Sequence, residues 1–188
     1  MRYEKGHKDQ SRGRIVEVAA KRFREDGIAA TGLAAVMGDA GLTNGAFYVH
    51  FGSKADLVRE SLAAALDQQL DQIHLTLAEG GPAALIDFYL SPAHRDHPGL
   101  GCASAALLPE IARSPQTTRQ LYAERVRAIV QSVAATLPPG VPDAEAAATA
   151  AYACLAGTMQ LARTLAGTPI SDQVLVAGRS AARKLLGM

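Results

Sequence analysis

Apolar residues recur at helical spacing along most of this chain, and polar residues fill the positions between them. Ile15, Ala19 and Phe23 share one face, with Val16 and Ala20 beside them and Lys21, Arg22, Arg24 and Glu25 opposite. The pattern predicts a helix from about Ser11 to Gly27, preceded by a charged, frayed arm carrying Arg2, Lys5 and Lys8. Leu33, Val36 and Met37 mark a short second helix. Ala40-Gly41-Leu42 is its turn: Gly41 can take the left-handed conformation, and Leu42 can fold back onto the core. Thr43 is expected to cap the next helix with its hydroxyl, and Phe47 and Phe51 share that helix's inner face. Local propensity opposes this last assignment. Asn44-Gly45 is a hairpin signal, and Ala46 to Phe51 is rich in strand formers, so a turn and strand is the alternative.

Beyond Ser53, a second capping residue, the helical period persists. Val58, Leu62, Leu66, Leu70, Ile73 and Leu77 predict one long helix to Glu79, which Gly80-Gly81-Pro82 ends. A short helix is expected over Ala83–Leu90, a loop over Ser91–Leu100, and an apolar helix over Cys102–Ala112 with a kink near Pro109. Thr117–Leu137 is amphipathic. Asp143 caps a helix to about Ala166, and Ser171 starts a last one to about Leu186. Nine helices and no convincing strand predict an all-α protein, with a helical head over residues 1–52 and a helical bundle over residues 53–188.

Composition narrows the class. The 188 residues are 48% hydrophobic and 20% charged, a globular balance, and the net charge is only +1. Basicity is uneven: residues 1–14 hold five Lys/Arg against two Asp/Glu. A patch that weak fits a dimer summing two heads better than a monomer binding phosphates alone. Two cysteines make no disulfide framework, no stretch is long enough to span a bilayer, and no signal peptide is visible, so a cytoplasmic protein is expected.

Two short helices joined by a glycine-bearing turn form a helix-turn-helix, whose second helix enters the DNA major groove. In that geometry Thr43, Asn44, Gly45, Ala46 and Val49 reach base edges; Asn44 can pair with an adenine, and Ala46 and Val49 can touch a thymine methyl. Thr31, Tyr48, His50 and Lys54 would hold phosphates.

The run Thr31, Val36, Ala40-Gly41-Leu42-Thr43, Gly45, Phe47-Tyr48, His50-Phe51, Lys54 and Leu57 resembles the DNA-binding signature of the TetR family of transcriptional repressors. Met37 stands where that family usually has alanine, and Asn44 where lysine, arginine or proline is common. The resemblance matches the DNA contacts named above. It implies a homodimer on a palindromic double-stranded operator and a small-molecule effector pocket in the bundle. Side chains with a polar tip on an apolar face are the pocket candidates: His74, Tyr89, Tyr122, Tyr152 and Gln160, with Met159 as filler.

Gly101-Cys102, followed by Ala105-Ala106-Leu107-Leu108-Pro109-Glu110-Ile111-Ala112, is similar to a TetR subgroup that includes a repressor responding to N-ethylmaleimide-type electrophiles. Cys102, at a helix start, is therefore both a pocket candidate and a candidate sensor, against the commoner role of a small buried residue. The family's four-helix dimer interface fits Ala144, Ala148, Ala151, Leu155, Thr158 and Ala162 of one helix with Val174, Ala177, Ala181 and Leu185 of the last; ordinary internal packing is the alternative. His94-Arg95-Asp96-His97 lacks a fourth ligand, so no metal is expected. No nucleophile elbow or phosphate loop occurs, so neither catalytic residues nor a cofactor are expected. The rival reading is a small-molecule-binding bundle or a cysteine-dependent enzyme without DNA function.

Overall fold

In the computed structural model, which describes the backbone from Lys5 to Met188 and side chains from Lys8 onward, every regular element is helical. There are nine α-helices among the described residues: α1 (Lys5–Asp26), α2 (Leu33–Asp39), α3 (Phe47–His50), α4 (Lys54–Tyr89), α5 (Pro92–Asp96), α6 (Ala103–Ala112), α7 (Gln116–Ala134), α8 (Ala144–Thr164) and α9 (Pro169–Leu185). Short 3-10 turns cover Asn44–Ala46 and Pro98–Leu100. The all-α expectation holds.

Several boundaries differ from the expected ones. The helix α1 starts at Lys5, so residues 5–10 are not a frayed arm; the polar run KGHKDQ carries no apolar stripe for periodicity to register, yet its lysines and Gln10 favour helix. Arg2 and the side chain of Lys5 lie outside the described residues. Gly81, at φ 66° and ψ −166°, breaks the long helix where expected, but helix resumes at once and α4 continues to Tyr89. The expected loop Ser91–Leu100 is largely helical. Ser91 Oγ accepts from the His94 amide at 3.2 Å, and Pro92 occupies the first helical position, a helix start in its own right. The helix α6 runs through Pro109 unbroken. Pro169, rather than Ser171, opens α9. Ser171 is instead buried, and its hydroxyl donates to the Ala162 carbonyl at 2.8 Å, tying α9 to α8.

The head forms around Ile15, Ala19, Phe23, Val36, Met37, Phe47 and Phe51, all buried. The turn after α2 closes as a Schellman motif. Gly41 has φ 71°, the Leu42 amide donates to Met37 O at 2.9 Å and the Gly41 amide to Gly38 O at 3.0 Å. Leu57, Val58, Leu62 and Leu66 carry the same core into α4, so that helix is shared between head and bundle. Arg12 fastens α1 to both neighbours: its guanidinium donates to both Glu60 carboxylate oxygens at 2.5 and 2.6 Å, donates to the His50 carbonyl, and lies 4.4 Å from the Phe51 ring centroid. In the bundle α8 and α9 pack closely, since a Cβ on Gly178 would stand 2.3 Å from Thr158 Cγ2.

Candidate DNA-reading head and bundle cavity

The segment after Gly41 protrudes. Thr43, Asn44, Gly45, Tyr48 and Val49 are exposed, Ala46 is half-buried, and Tyr48 and Val49 keep 74% and 60% of their surface in solvent. Phe47 and Phe51 stack at 5.6 Å beneath them and fix their outward direction. The strand alternative is overturned: residues 44–50 are one 3-10 turn and one helical turn. Thr43 sits at the N-cap position (φ −77°, ψ 152°), yet its side chain makes no cap bond, contrary to expectation. Its hydroxyl and the first amides of the turn are therefore left for another partner. A Cβ on Gly45 would meet nothing within 4 Å, so the fold itself does not demand glycine there.

The phosphate-holding candidates divide. Tyr48 is presented freely. Thr31 is only 3% exposed and its hydroxyl donates to Gly27 O at 2.6 Å, which removes it from the surface. Lys54 Nζ donates to Ile28 O at 2.6 Å and Thr31 O at 2.7 Å, leaving one of its three N–H groups for a phosphate. His50 is half-buried, with Nδ1 enclosed and unpartnered. Desolvation, then Lys8 and Arg12, lower its pKa, so it does not supply a cation at neutral pH.

In the bundle, the 91–104 segment gathers the pocket candidates. Cys102, buried at the N-cap of α6, donates its amide to His94 Nε2 at 2.9 Å, and His94 Nδ1 lies 2.6 Å from the Tyr89 carbonyl. These two bonds require a neutral ring with its proton on Nδ1. Burial supports this by pushing His94 down to about 4, against the raising effect of the Tyr89 carbonyl. Ser104 Oγ lies 2.9 Å from the Tyr122 hydroxyl and 2.6 Å from the Tyr152 hydroxyl, and Gln160 Nε2 donates to Ser104 O at 3.3 Å. Burial raises the pKa of Tyr89, Tyr122 and Tyr152, which keeps all three phenols neutral.

Five of the seven pocket candidates thus converge: Tyr89, Cys102, Tyr122, Tyr152 and Gln160. His74 does not; it is exposed on α4 and meets Ser132 Oγ at 2.9 Å. Met159 is fully buried core. A cavity of about 150 Å³ opens beside Cys102, His94 and Tyr89, lined further by Arg24 and Gln69. A much smaller apolar one, about 20 Å³, lies on the other side of Tyr89 against Tyr152 and Leu155. Sequence reasoning missed Arg24, His94 and Ser104. In the sequence His94 stands only as a weak metal candidate, and no group of three or more metal-capable side chains occurs among the described residues.

Residues 15–61 match the family described as bacterial regulatory proteins, tetR family. This head belongs to the TetR family. The transcriptional repressor KstR2 of Mycobacterium tuberculosis is 39% identical over 62 residues, covering 33% of this chain and 31% of KstR2. The chain thus spans about a third of the length of the curated relatives it matches. The whole fold agrees. The TetR-family regulator of Cytophaga hutchinsonii superposes with a TM-score of 0.79 at 18% identity, over 98% of this chain and 97% of that one. Escherichia coli NemR in its reduced form gives 0.78 at 16% identity, over 93% and 96%.

Burial within the bundle also corrects the interface candidates. Ala148, Ala151, Leu155 and Ala162 are buried within the subunit, and Ala144, Thr158 and Val174 are half-buried, so this face of α8 packs internally. Ala177, Ala181 and Leu185 of α9 are exposed. The free face of α8 is a different stripe at helical spacing, Ala146, Ala150, Ala153, Gly157 and Leu161.

Proposed function

We propose that this chain is a TetR-type transcriptional repressor of the cytoplasm, with residues 1–52 reading DNA and residues 53–188 binding an effector and a second subunit. The observation that carries the reading is the projection of Asn44, Tyr48 and Val49 into solvent from a rigidly packed tip; two large apolar-bodied side chains held outward by buried phenylalanines suit a groove rather than water. The names of the matched relatives support it. Two such heads would address half-sites about 34–36 Å apart on a palindromic operator. The helix α4, which shares the head's core and lines the bundle cavity, would carry the effector's influence, a coupling on the order of 1–3 kcal/mol.

The test is a gel shift of the purified protein on the DNA flanking its own gene. A retarded band that a palindromic competitor abolishes supports the reading; equal retention on unrelated DNA at every salt concentration overturns it. A second reading keeps the bundle and drops the DNA function, leaving a ligand-binding protein or a cysteine-dependent enzyme. The buried Cys102 beside neutral His94 is the observation that keeps it alive, and the same gel shift separates the two. Within the repressor reading, Cys102 would also be the electrophile sensor; a Cys102→Ser variant that an electrophile still releases from DNA removes that role.

A further inference from the structure

The cavity beside Cys102 has polar walls that the protein leaves unanswered. Arg24 is 8% exposed, and its only hydrogen bond is from Nε to Gly99 O at 2.9 Å; no carboxylate stands within 4 Å among the described residues. Glu25, the next residue, acts on it only from beyond ion-pair distance, and a buried guanidinium so poorly paired is costly. The Tyr89 hydroxyl, on a side chain 6% exposed, has no partner, and neither amide atom of Gln69 has one, although all three are enclosed. Opposite them the wall is apolar, with Ile73, Leu85 and the exposed Phe88 at the rim. The free volume, about 150 Å³, has room for several water molecules or a small ligand.

We propose that this cavity holds a small carboxylic acid, its carboxylate paired with Arg24 and its apolar body laid toward Ile73, Leu85 and Phe88. A carboxylate supplies what the terminal nitrogens of Arg24 lack, two parallel acceptors. The Gln69 amide and the Tyr89 hydroxyl can donate to the same oxygens. The proposal rests on the effector reading of the bundle and deepens it, because Arg24 belongs to α1, the helix under the DNA-reading tip. Its bond to Gly99 is one of the ties between that helix and the 98–100 turn. An acid that takes hold of the terminal nitrogens leaves Nε free to keep that tie, and so bears on the very side chain that joins the head to the bundle.

Calorimetric titration of the full-length protein without DNA tests it, using benzoate against benzamide and hexanoate against hexanamide, each pair alike in shape and different in charge. At least one acid should bind, at least about tenfold more tightly than its amide. Arg24→Gln should reduce that acid to the amide's affinity, while Arg24→Lys should retain part of the preference. Should Arg24→Gln fail to fold, Gln69→Leu carries the test: about tenfold weaker acid binding upholds the site, and unchanged binding overturns it. Equal affinity for acid and amide, no acid binding at millimolar concentration, or a preference that survives Arg24→Gln also overturns it. Acid binding without release of DNA in a gel shift would leave the site standing and sink only the regulatory reading.

Discussion

Lys54 Nζ donates to the carbonyl oxygen of Thr31 at 2.7 Å, so two residues that the sequence pattern assigns to phosphates face each other across the head. With the second bond, to Ile28 O, the lysine clamps the start of α4 to the loop before α2. Lys54→Met should therefore cost about 1–3 kcal/mol of stability, since it strands two partly buried carbonyls. Tyr48→Ala, which removes an exposed ring, should leave stability within about 0.5 kcal/mol and weaken DNA binding instead. Urea unfolding and gel shifts of both variants check this. A Lys54→Met protein as stable as the parent, with only a flatter dependence of DNA binding on salt, would return Lys54 to the phosphates.

Asn44 is exposed at the very start of the tip, and only its backbone carbonyl, which accepts from the Phe47 amide, serves the turn. Its amide offers one donor and one acceptor, the pattern that reads adenine, and a bidentate pair of that kind discriminates by about 1–3 kcal/mol. Asn44→Ala should relax the preference at one base pair in each half-site and leave the melting temperature unchanged. Binding-site selection with both proteins measures it, and an identical preferred sequence removes Asn44 from the reading set.

What the sequence revealed, and what it hid, follows from the range of the interactions involved. The Gly41 turn, the Ser53 and Asp143 caps and the break at Gly81 are local, set within a few residues, and each stands where the residues placed it. The inner stripe of α8 was equally legible as apolar, but helical period alone does not say whether a partner or the same subunit covers it. The bundle cluster depends on contacts far apart in the chain. Ser104 meets Tyr152 48 residues later, and Arg24 meets Gly99 75 residues later. Only the packing of α1 and α8 around α6 brings these together. Thr31 and Lys54 misled for a related reason: a hydroxyl or an ammonium suits a phosphate and a backbone carbonyl equally well.

His94 gives the fold a pH dependence of definite sign. Burial holds its pKa near 4, whereas an unfolded chain protonates histidine at about 6.5. The unfolded state binds the proton first, so the stabilisation is fully present above pH 6.5 and is lost as pH falls toward 4. The gap corresponds to on the order of 3 kcal/mol. Desolvation lowers His50 in the same direction, so the contribution of His94 is read as a difference between proteins. His94→Asn should be less stable than the parent at pH 7 and should lose stability more gently between pH 6.5 and 4. Parallel melting curves for parent and variant across that interval would count against the assignment.

The helices α8 and α9 pack against each other, and Ile170, Val176 and Ala177 of α9 are exposed like the outward stripe of α8, so both helices present apolar side chains to solvent. Alanines and Gly157 allow close approach of another helix, and the larger side chains supply area. In a two-fold interface each residue counts twice. Leu161 is half in solvent, and covering it fully is worth roughly 1–2 kcal/mol per subunit. Leu161→Arg should therefore weaken association by about 2–4 kcal/mol, more if the charge is left buried. It should not lower the melting temperature of the separated subunit. Ala151→Leu is the converse case. That position is buried inside the subunit, so the larger side chain should overpack the core and cost about 1–3 kcal/mol of stability without altering the stoichiometry directly. Sedimentation equilibrium at micromolar concentration distinguishes the two. A parent protein that sediments as a monomer, or a Leu161→Arg dimer as tight as the parent, would mean that this face is not where the second copy docks.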